Sequence, residues 1–125
     1  MKKIFYSVLL ALLVTSCGSD SKTSGKKNDS ADITKDPDYA KGLTLVADNG
    51  CLACHRVDEL VTGPSYREIA NKYANGADTA VSYLASKIIK GGTGVWGTAF
   101  MTPNSNLSKD EAETIVRYIL LLKNK

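Results

Sequence analysis

Hydrophobic residues recur at spacings of three and four in four stretches between residues 36 and 125, which is the pattern of amphipathic helices. The first stretch follows Asp36-Pro37, an N-cap acid with proline at the first helical position, and ends at Asn49-Gly50. The others begin at Ser65, near Asp78 and at Ser108, and both serines open a Ser-x-x-Glu capping box. The apolar positions, in chain order, are Tyr39, Leu43, Val46, Ala47, Tyr66, Ile69, Ala70, Tyr73, Val81, Leu84, Ala85, Ile88, Ala112, Ile115, Tyr118, Ile119 and Leu122. With no evident strand pair, the sequence predicts an all-α domain of four to five short helices.

Glycines interrupt this pattern at two informative places. Gly42 is unfavourable within the first helix, and it indicates either close approach of another helix or a tolerated exposed position. Residues 91–97 (GGTGVWG) do not form a phosphate-binding loop, because Lys90 precedes the glycines instead of following them. We interpret this segment as a turn-rich loop whose glycines let the backbone approach a flat cofactor.

The N-terminus has the features of a secretory signal. Lys2-Lys3 precedes an apolar run from Ile4 to Val14. As a helix this run reaches only about 16 Å, against a hydrocarbon core of about 30 Å, so we expect it to be removed and not to span a membrane. Val14-Thr-Ser-Cys17 resembles a bacterial lipobox, which predicts a lipoprotein signal peptide at 1–16 and lipidation of Cys17. The alternative is an ordinary cleaved signal with a spare thiol at Cys17.

A polar tether is predicted for residues 17–35, followed by a folded domain at 36–125. From Gly18 to Lys35 the only large apolar residue is Ile33, so this segment cannot bury enough surface to offset the entropy of ordering. A tether of this kind either lets the domain swing between membrane-bound partners or serves as a spacer. We therefore expect an exported, membrane-anchored lipoprotein that faces the bacterial periplasm.

Charge excludes one class of function. The whole chain of 125 residues has a net charge of +3, but residues 36–125 contain ten basic and ten acidic side chains. A near-neutral domain without a basic stripe is not a nucleic-acid binder.

The candidate chemistry lies in Cys51-Leu-Ala-Cys-His55, a C-x-x-C-H motif. Two thiols at this spacing add across the vinyl groups of a haem, and the following imidazole binds the iron. A closed zinc site needs four nitrogen or sulfur ligands, and this chain has one histidine and three cysteines, of which Cys17 is assigned to the lipid. A thioredoxin-like pair would follow a strand, whereas the segments on both sides here are helical.

The iron needs a sixth ligand, and Met101 is the methionine that remains after removal of the signal. A thioether is a soft ligand that stabilises reduced iron. Met101 lies in a loop between two predicted helices, which favours a ligand over the common alternative of a methionine that fills a gap in the core.

These pieces together resemble class I cytochrome c, in particular the small bacterial cytochromes c-551 and c-552. The matching segments are residues 49–55 (NGCLACH), 63–66 (GPSY), 94–97 (GVWG) and 101–104 (MTPN), followed by the closing helix. The resemblance implies a compact cytochrome c fold wrapped around one haem c, held by thioethers from Cys51 and Cys54 with His55 and Met101 as axial ligands.

The resemblance also implies supporting roles for three residues. The Pro64 carbonyl would accept a hydrogen bond from the other ring nitrogen of His55, Trp96 would lie near a haem propionate, and Asn104 would lie near the Met101 sulfur. Many relatives have proline where this chain has Thr102, and some have arginine where Lys87 stands, which leaves a propionate contact of Lys87 open.

Two axial protein ligands leave no position on the iron for a small-molecule substrate. We therefore predict an electron carrier between respiratory redox proteins, a donor and a terminal reductase or oxidase, and not an enzyme. The alternatives are a peroxidase or gas sensor in which Met101 dissociates, and a dedicated haem subunit of a larger oxidoreductase.

Cys17→Ala provides a test of the anchor. Because a lipid on Cys17 would be the only attachment, we expect this variant to appear in the soluble fraction or to remain unprocessed. Fractionation and the mass of the mature N-terminus are the measurements, with Ser16→Ala as a control that retains the cysteine. Unchanged membrane association together with an unchanged N-terminal mass would contradict lipidation.

Overall fold

The computed structural model describes residues 32–124, which contain four α-helices and one small antiparallel sheet. The helices are α1 (Pro37–Asp48), α2 (Tyr66–Tyr73), α3 (Ala77–Lys90) and α4 (Lys109–Leu121). Short 3-10 turns occupy Ile33–Lys35, Cys51–Ala53 and Ala74–Gly76, and the strands are β1 (Gly92–Gly94) and β2 (Gly97–Met101). The predicted all-α class with four to five short helices is confirmed.

Helices α1, α2 and α4 begin where the capping residues predict, whereas α3 begins at Ala77 without a side-chain cap. Asp36 accepts a hydrogen bond from the Asp38 amide at 2.9 Å. Ser65 and Glu68 form a complete capping box at the start of α2, and Ser108 and Glu111 form the second one at the start of α4. Hydrogen bonds from the Ser65 amide and hydroxyl hold the pKa of the Glu68 carboxyl below its ordinary value. These caps satisfy backbone amides that have no partner within the helix.

Helices α1 and α4 cross in close contact at Gly42. A Cβ on Gly42 would overlap the Cβ of Tyr118 and lie 3.0 Å from the Thr114 carbonyl oxygen. Near the same crossing, the rings of Tyr39 and Tyr118 meet edge to face with centroids 5.5 Å apart. Of the two interpretations of Gly42, close helix approach is therefore correct.

Helix α4 is the centre of the core. Its buried side chains face all three other helices, and α1, α2 and α3 each pack against it. The core cluster comprises Val46, Tyr66, Ile69, Ala85, Ile88, Leu107, Ala112, Ile115, Val116, Tyr118, Ile119 and Leu122. The apolar stripes that the spacing predicted are thus largely the buried faces.

A two-stranded sheet forms where the sequence predicted only a turn-rich loop. Strand β1 pairs with β2, with Gly92 opposite Met101 and Gly94 opposite Gly97. These three glycines have positive φ angles. Because glycine is depleted in strands and the segment lacks alternating apolar residues, the usual signal for a hairpin is missing.

The folded region also begins earlier than predicted. Ile33–Lys35, placed in the tether by sequence, form a 3-10 turn, and Ile33 packs against the core cluster. The predicted signal peptide 1–16, the lipidation site Cys17 and the tether as far as residue 31 lie outside the described residues. Between residues 32 and 124, no helix has both the length and the apolar character required to cross a membrane.

We expect Gly42→Ala to lower the free energy of unfolding by about 1–2 kcal/mol, because the overlap at Tyr118 puts the overpacking cost toward the upper end of about 1–3 kcal/mol and the helix propensity of alanine offsets part of it. The added methyl would force α1 away from α4, and this outweighs the gain in helix propensity of about 1 kcal/mol. Chemical denaturation of the haem-loaded protein measures the change.

Gly76→Ala is the matched control, because its Cβ would meet nothing closer than the Thr79 hydroxyl at 3.5 Å. Because Gly76 is the N-cap of α3, where alanine is less favoured than glycine, this variant should lower stability by no more than about 1 kcal/mol. Equal free energies of unfolding for the two variants would show that the crossing of α1 and α4 has room for a methyl group at residue 42.

Candidate haem-binding site

A cavity of about 420 Å³ lies among the helices and the small sheet. Aliphatic side chains of α2, α3 and α4 form part of its wall, and aromatic side chains form another part. The aliphatic residues are Ile69, Leu84, Ile88, Ile115, Val116 and Ile119, and the aromatic ones are Tyr66, Tyr73, Tyr83, Trp96 and Phe100. All seven haem-site residues predicted from sequence line the same cavity: Cys51, Cys54, His55, Pro64, Trp96, Met101 and Asn104.

The C-x-x-C-H segment is held in a tight turn directly after α1. Gly50 adopts a left-handed conformation with φ 65°, which turns the chain into the 3-10 turn Cys51–Ala53. The His55 amide then donates to the Cys51 carbonyl at 3.0 Å. Cys51 is half-buried and Cys54 is exposed, and burial raises the pKa of the Cys51 thiol. Both sulfurs are thus presented from one compact turn.

The imidazole of His55 is fixed through one ring nitrogen. Its Nδ1 lies 2.7 Å from the Pro64 carbonyl oxygen, which can only accept a hydrogen bond. The proton of a neutral imidazole therefore resides on Nδ1, which leaves the lone pair of Nε2 available to a metal.

Gly63 lies directly against the His55 ring. A Cβ on Gly63 would lie 2.5 Å from Cε1, 2.9 Å from Nδ1 and 3.0 Å from Nε2. The Gly63 amide also donates to the Cys54 carbonyl at 2.9 Å, which closes the loop between the motif and Pro64. The ring orientation consequently depends on the absence of a side chain at residue 63.

The side chain of Arg67 connects the loop between His55 and Pro64 to the end of α4. Its side chain forms an ion pair with Asp58, and its Nη1 donates to the Leu122 carbonyl at 2.5 Å. The hydrogen bond from Arg67 holds the pKa of Asp58 below its ordinary value. The loop that carries Pro64 is therefore anchored to the same helix as the cavity wall.

Tyr66 supports the histidine from α2. The rings of His55 and Tyr66 are stacked, with centroids 5.5 Å apart and an interplanar angle of 15°. Tyr66 is buried, and its hydroxyl faces the Cys51 thiol without reaching hydrogen-bond geometry. Burial raises the pKa of Tyr66, so the phenol remains neutral at physiological pH.

Met101 reaches the cavity from the end of β2. It is half-buried and packs against the core cluster. Asn104 lines the cavity nearby, and its side-chain amide donates to the Thr102 carbonyl at 3.3 Å. Helix α3 and the sheet thus bring a thioether to the cavity that also contains the His55 ring.

Trp96 and Lys87 lie at more exposed parts of the cavity wall. Trp96 is 40% exposed, and the Lys72 ammonium lies 5.5 Å from its ring centroid. The Lys87 ammonium lies 5.8 Å from the centroid of the Tyr83 ring. Positive charge therefore borders the cavity on this side, where anionic groups of a cofactor would be stabilised.

The residues present fit a covalent haem. Two thiols, an imidazole with a free Nε2 and a thioether converge on one cavity with largely aliphatic and aromatic walls. A flat apolar macrocycle needs such walls, and its iron needs such donors.

Known proteins agree with this fit. A family model described as cytochrome c matches residues 39–123. Cytochrome c-552 of Nitrosomonas europaea is 47% identical over 79 residues, which cover 63% of this chain and 76% of that protein. Cytochrome c-551 of Pseudomonas aeruginosa is 42% identical over 79 residues, covering 63% of this chain and 74% of that protein. The crystal structure of wild-type N. europaea cytochrome c552 matches with a TM-score of 0.61 and 46% identity, over 65% of this chain and 99% of that one.

Two residues that support His55 from outside the motif, Gly63 and Tyr66, were not predicted from the sequence, whereas the Pro64 contact was expected from the resemblance. The spacing placed Tyr66 on the apolar face of α2 without linking it to the histidine, and Gly63 was noted only as part of the matching segment 63–66. Stacking between residues 55 and 66 depends on how the loop folds back, which no local periodicity reveals. The Gly63-Pro64 pair was the available signal, since it marks a turn next to the motif.

We expect Tyr66→Phe to leave the free energy of unfolding unchanged or to raise it by up to about 1 kcal/mol, because phenylalanine keeps the stacked ring and removes a buried hydroxyl without a partner. Tyr66→Leu, which removes the aromatic ring as well, should be destabilising by about 2 kcal/mol or more. Denaturation of the haem-loaded variants provides the comparison. A loss of more than about 1 kcal/mol in Tyr66→Phe would show that the hydroxyl has a partner in the loaded protein.

Proposed function

Because this chain belongs to the cytochrome c family, we propose that it shuttles single electrons between respiratory proteins through a haem with His55 and Met101 as axial ligands. At the level of the family, the protein is a class I monohaem electron-transfer cytochrome with one covalently bound haem c. The observation that carries the finer proposal is the shared cavity, in which His55, with Nε2 free, and Met101 both form part of the wall.

The proposed attachment uses the 3-10 turn after α1. Cys51 and Cys54 would each hold the haem through one thioether, and His55 follows them with a ring already oriented by Gly63, Pro64 and Tyr66. Haem supplies an iron that accepts and releases one electron. The protein supplies the orientation of the ligands and a cavity wall that is largely aliphatic and aromatic.

Three further residues have proposed supporting roles. Pro64 fixes the tautomer of His55 by accepting its Nδ1 proton in a hydrogen bond. Trp96 would lie near a haem propionate, and the Lys72 ammonium over its ring supports this role. Asn104 orients the Met101 sulfur, and its position in the cavity wall beside Thr102 supports this role.

The protein is proposed to be an electron carrier and not an enzyme, because two firm axial ligands leave no open position for a substrate. A displaceable Met101 would instead permit peroxidase or gas-sensing chemistry. The partners of a carrier are other redox proteins.

The proposal extends to the location of the protein. A lipid on Cys17 would hold an exported domain at a membrane, with the polar segment of residues 18–31 between them. The periplasmic face is the proposed location. Unmodified cysteines persist poorly in such oxidising compartments, which favours modification of all three cysteines of this chain.

Replacement of Met101 tests ligation and distinguishes a carrier from an enzyme. We expect Met101→Ala to lower the reduction potential, abolish the weak far-red band of sulfur-ligated ferric haem, and create a site that binds carbon monoxide. The thioether stabilises ferrous iron, so its loss favours the ferric form. Redox titration, absorption spectra and carbon monoxide binding are the measurements.

Met101→His is the matched control, since it fills the sixth position with nitrogen. It should lose the far-red band but remain closed to carbon monoxide. Rapid carbon monoxide binding or peroxide turnover by the unaltered protein would favour the enzyme or sensor. An unchanged spectrum and potential in Met101→Ala would place the sixth ligand elsewhere, with a lysine the first candidate.

A further inference from the structure

We infer that Gly91, at the end of α3, is a positioning residue that sets the place of Met101 at the haem iron. The inference rests on the proposed function, in which Met101 is the sixth ligand. Gly91 is not itself a ligand, but its backbone would determine how firmly the Met101 sulfur is held at the iron.

The backbone at Gly91 is restricted to glycine. Its φ of 65° and ψ of −154° lie in a region that side-chain-bearing residues essentially do not adopt. Gly91 is buried, and its amide donates to the Lys87 carbonyl at 2.8 Å, which closes the last turn of α3. The chain therefore leaves α3 in a direction that glycine alone permits.

This direction brings Gly91 into contact with residues 101–104, which we call the methionine loop. A Cβ on Gly91 would overlap the Met101 carbonyl oxygen and would lie 2.8 Å from the Pro103 nitrogen and 2.9 Å from its Cδ. The first two of these atoms belong to the backbone, so they cannot move aside without a shift of the loop. The space that a Cβ would need is thus occupied by the segment that carries the proposed ligand.

The methionine loop is held against α3 on both sides of this contact. Before it, Gly92 pairs with Met101 in the small sheet. After it, the Asn104 amide donates to the Ile88 carbonyl at 3.0 Å. Ile88 is buried in the core cluster, so the end of α3 provides a fixed support.

A side chain at residue 91 would have to push the loop away from α3 or strain these two attachments. Either response moves Met101 relative to a cavity whose other donor, His55, is held independently by Pro64. The expected consequence is a weaker bond between the iron and the Met101 sulfur, while the bond to His55 is unaffected.

The test compares Gly91→Ala with Gly94→Ala in the haem-loaded protein. Gly94 also has a positive φ, 131°, but a Cβ there meets no protein atom within 4 Å, and Gly94 pairs with Gly97 and not with Met101, so it controls for backbone strain. We expect Gly91→Ala to weaken the far-red band, lower the reduction potential and bind added imidazole about tenfold more tightly than Gly94→Ala, which is the factor expected from about 1.4 kcal/mol of overpacking. In a Met101→Ala background, Gly91→Ala should have little further effect on imidazole binding, because its route of action has been removed.

Two outcomes overturn the inference in distinguishable ways. If Gly91→Ala and Gly94→Ala behave alike while Met101→Ala changes the band and the potential, Met101 is the ligand but Gly91 does not position it. If Met101→Ala itself changes neither property, the proposed ligation fails and the inference fails with it.

Hydrogen exchange tests the same coupling without a substitution at residue 91, so it applies even if Gly91→Ala does not fold. Coupling between two sites is reciprocal, so loss of the sulfur bond should loosen the contact at Gly91. In Met101→Ala, the amides of Gly91 and Asn104 should exchange about tenfold faster or more, if that contact depends on about 1.4 kcal/mol of coupling. The amide of Ala112 in α4 is the internal reference, and equal acceleration or none at all three amides would contradict the inference.

Discussion

The contact between α1 and α4 at Gly42 is the interaction on which the rest of the domain depends. It lets the backbone of α1 lie against Thr114 and Tyr118, so the end of α1 is fixed relative to α4. Gly50 then turns the chain directly into the Cys51–Ala53 turn. Because Ile115, Val116 and Ile119 of α4 also line the cavity, one helix positions both the attachment motif and the apolar wall. A shift of α1 on α4 would therefore move the two thiols relative to the surface that must bind the macrocycle.

A glycine from a neighbouring segment lies in close contact with each of the two proposed ligands. Gly63 lies against the ring of His55, and Gly91 lies against the carbonyl of Met101, in both cases too closely for a Cβ. The Gly91 contact involves backbone atoms that no side-chain rotation can move, and rotation of the His55 ring away from Gly63 would break its hydrogen bond to Pro64. The ligands are thus held by the main chain of neighbouring segments, which suits a site whose geometry must remain the same in two redox states.

Sequence predicted the parts of the fold that local chemistry determines. Ser65 and Ser108 predict the starts of their helices, because a capping box is complete within four residues. The C-x-x-C-H motif likewise predicts its cofactor from five consecutive residues. The sheet was missed because its pairing joins Gly92 to Met101 across the turn, through glycines that carry no strand signal. Ile33 was assigned to the tether because a single apolar residue in a polar segment is indistinguishable from an exposed one until its contact with the core is known.

The site shows the same division between local and distant determinants. His55 and Met101 were predicted as ligands from residue type, since few side chains bind haem iron, whereas their supports come from segments brought together only by folding. Tyr66 stacks on His55 from α2, and the end of α3 meets Met101 through Gly91. Electron transfer is fast when little rearrangement accompanies the change in charge, and supports of this kind limit the movement of the proposed ligands. Variation at Gly63, Tyr66 and Gly91 should consequently tune the iron site while the ligand set stays unchanged.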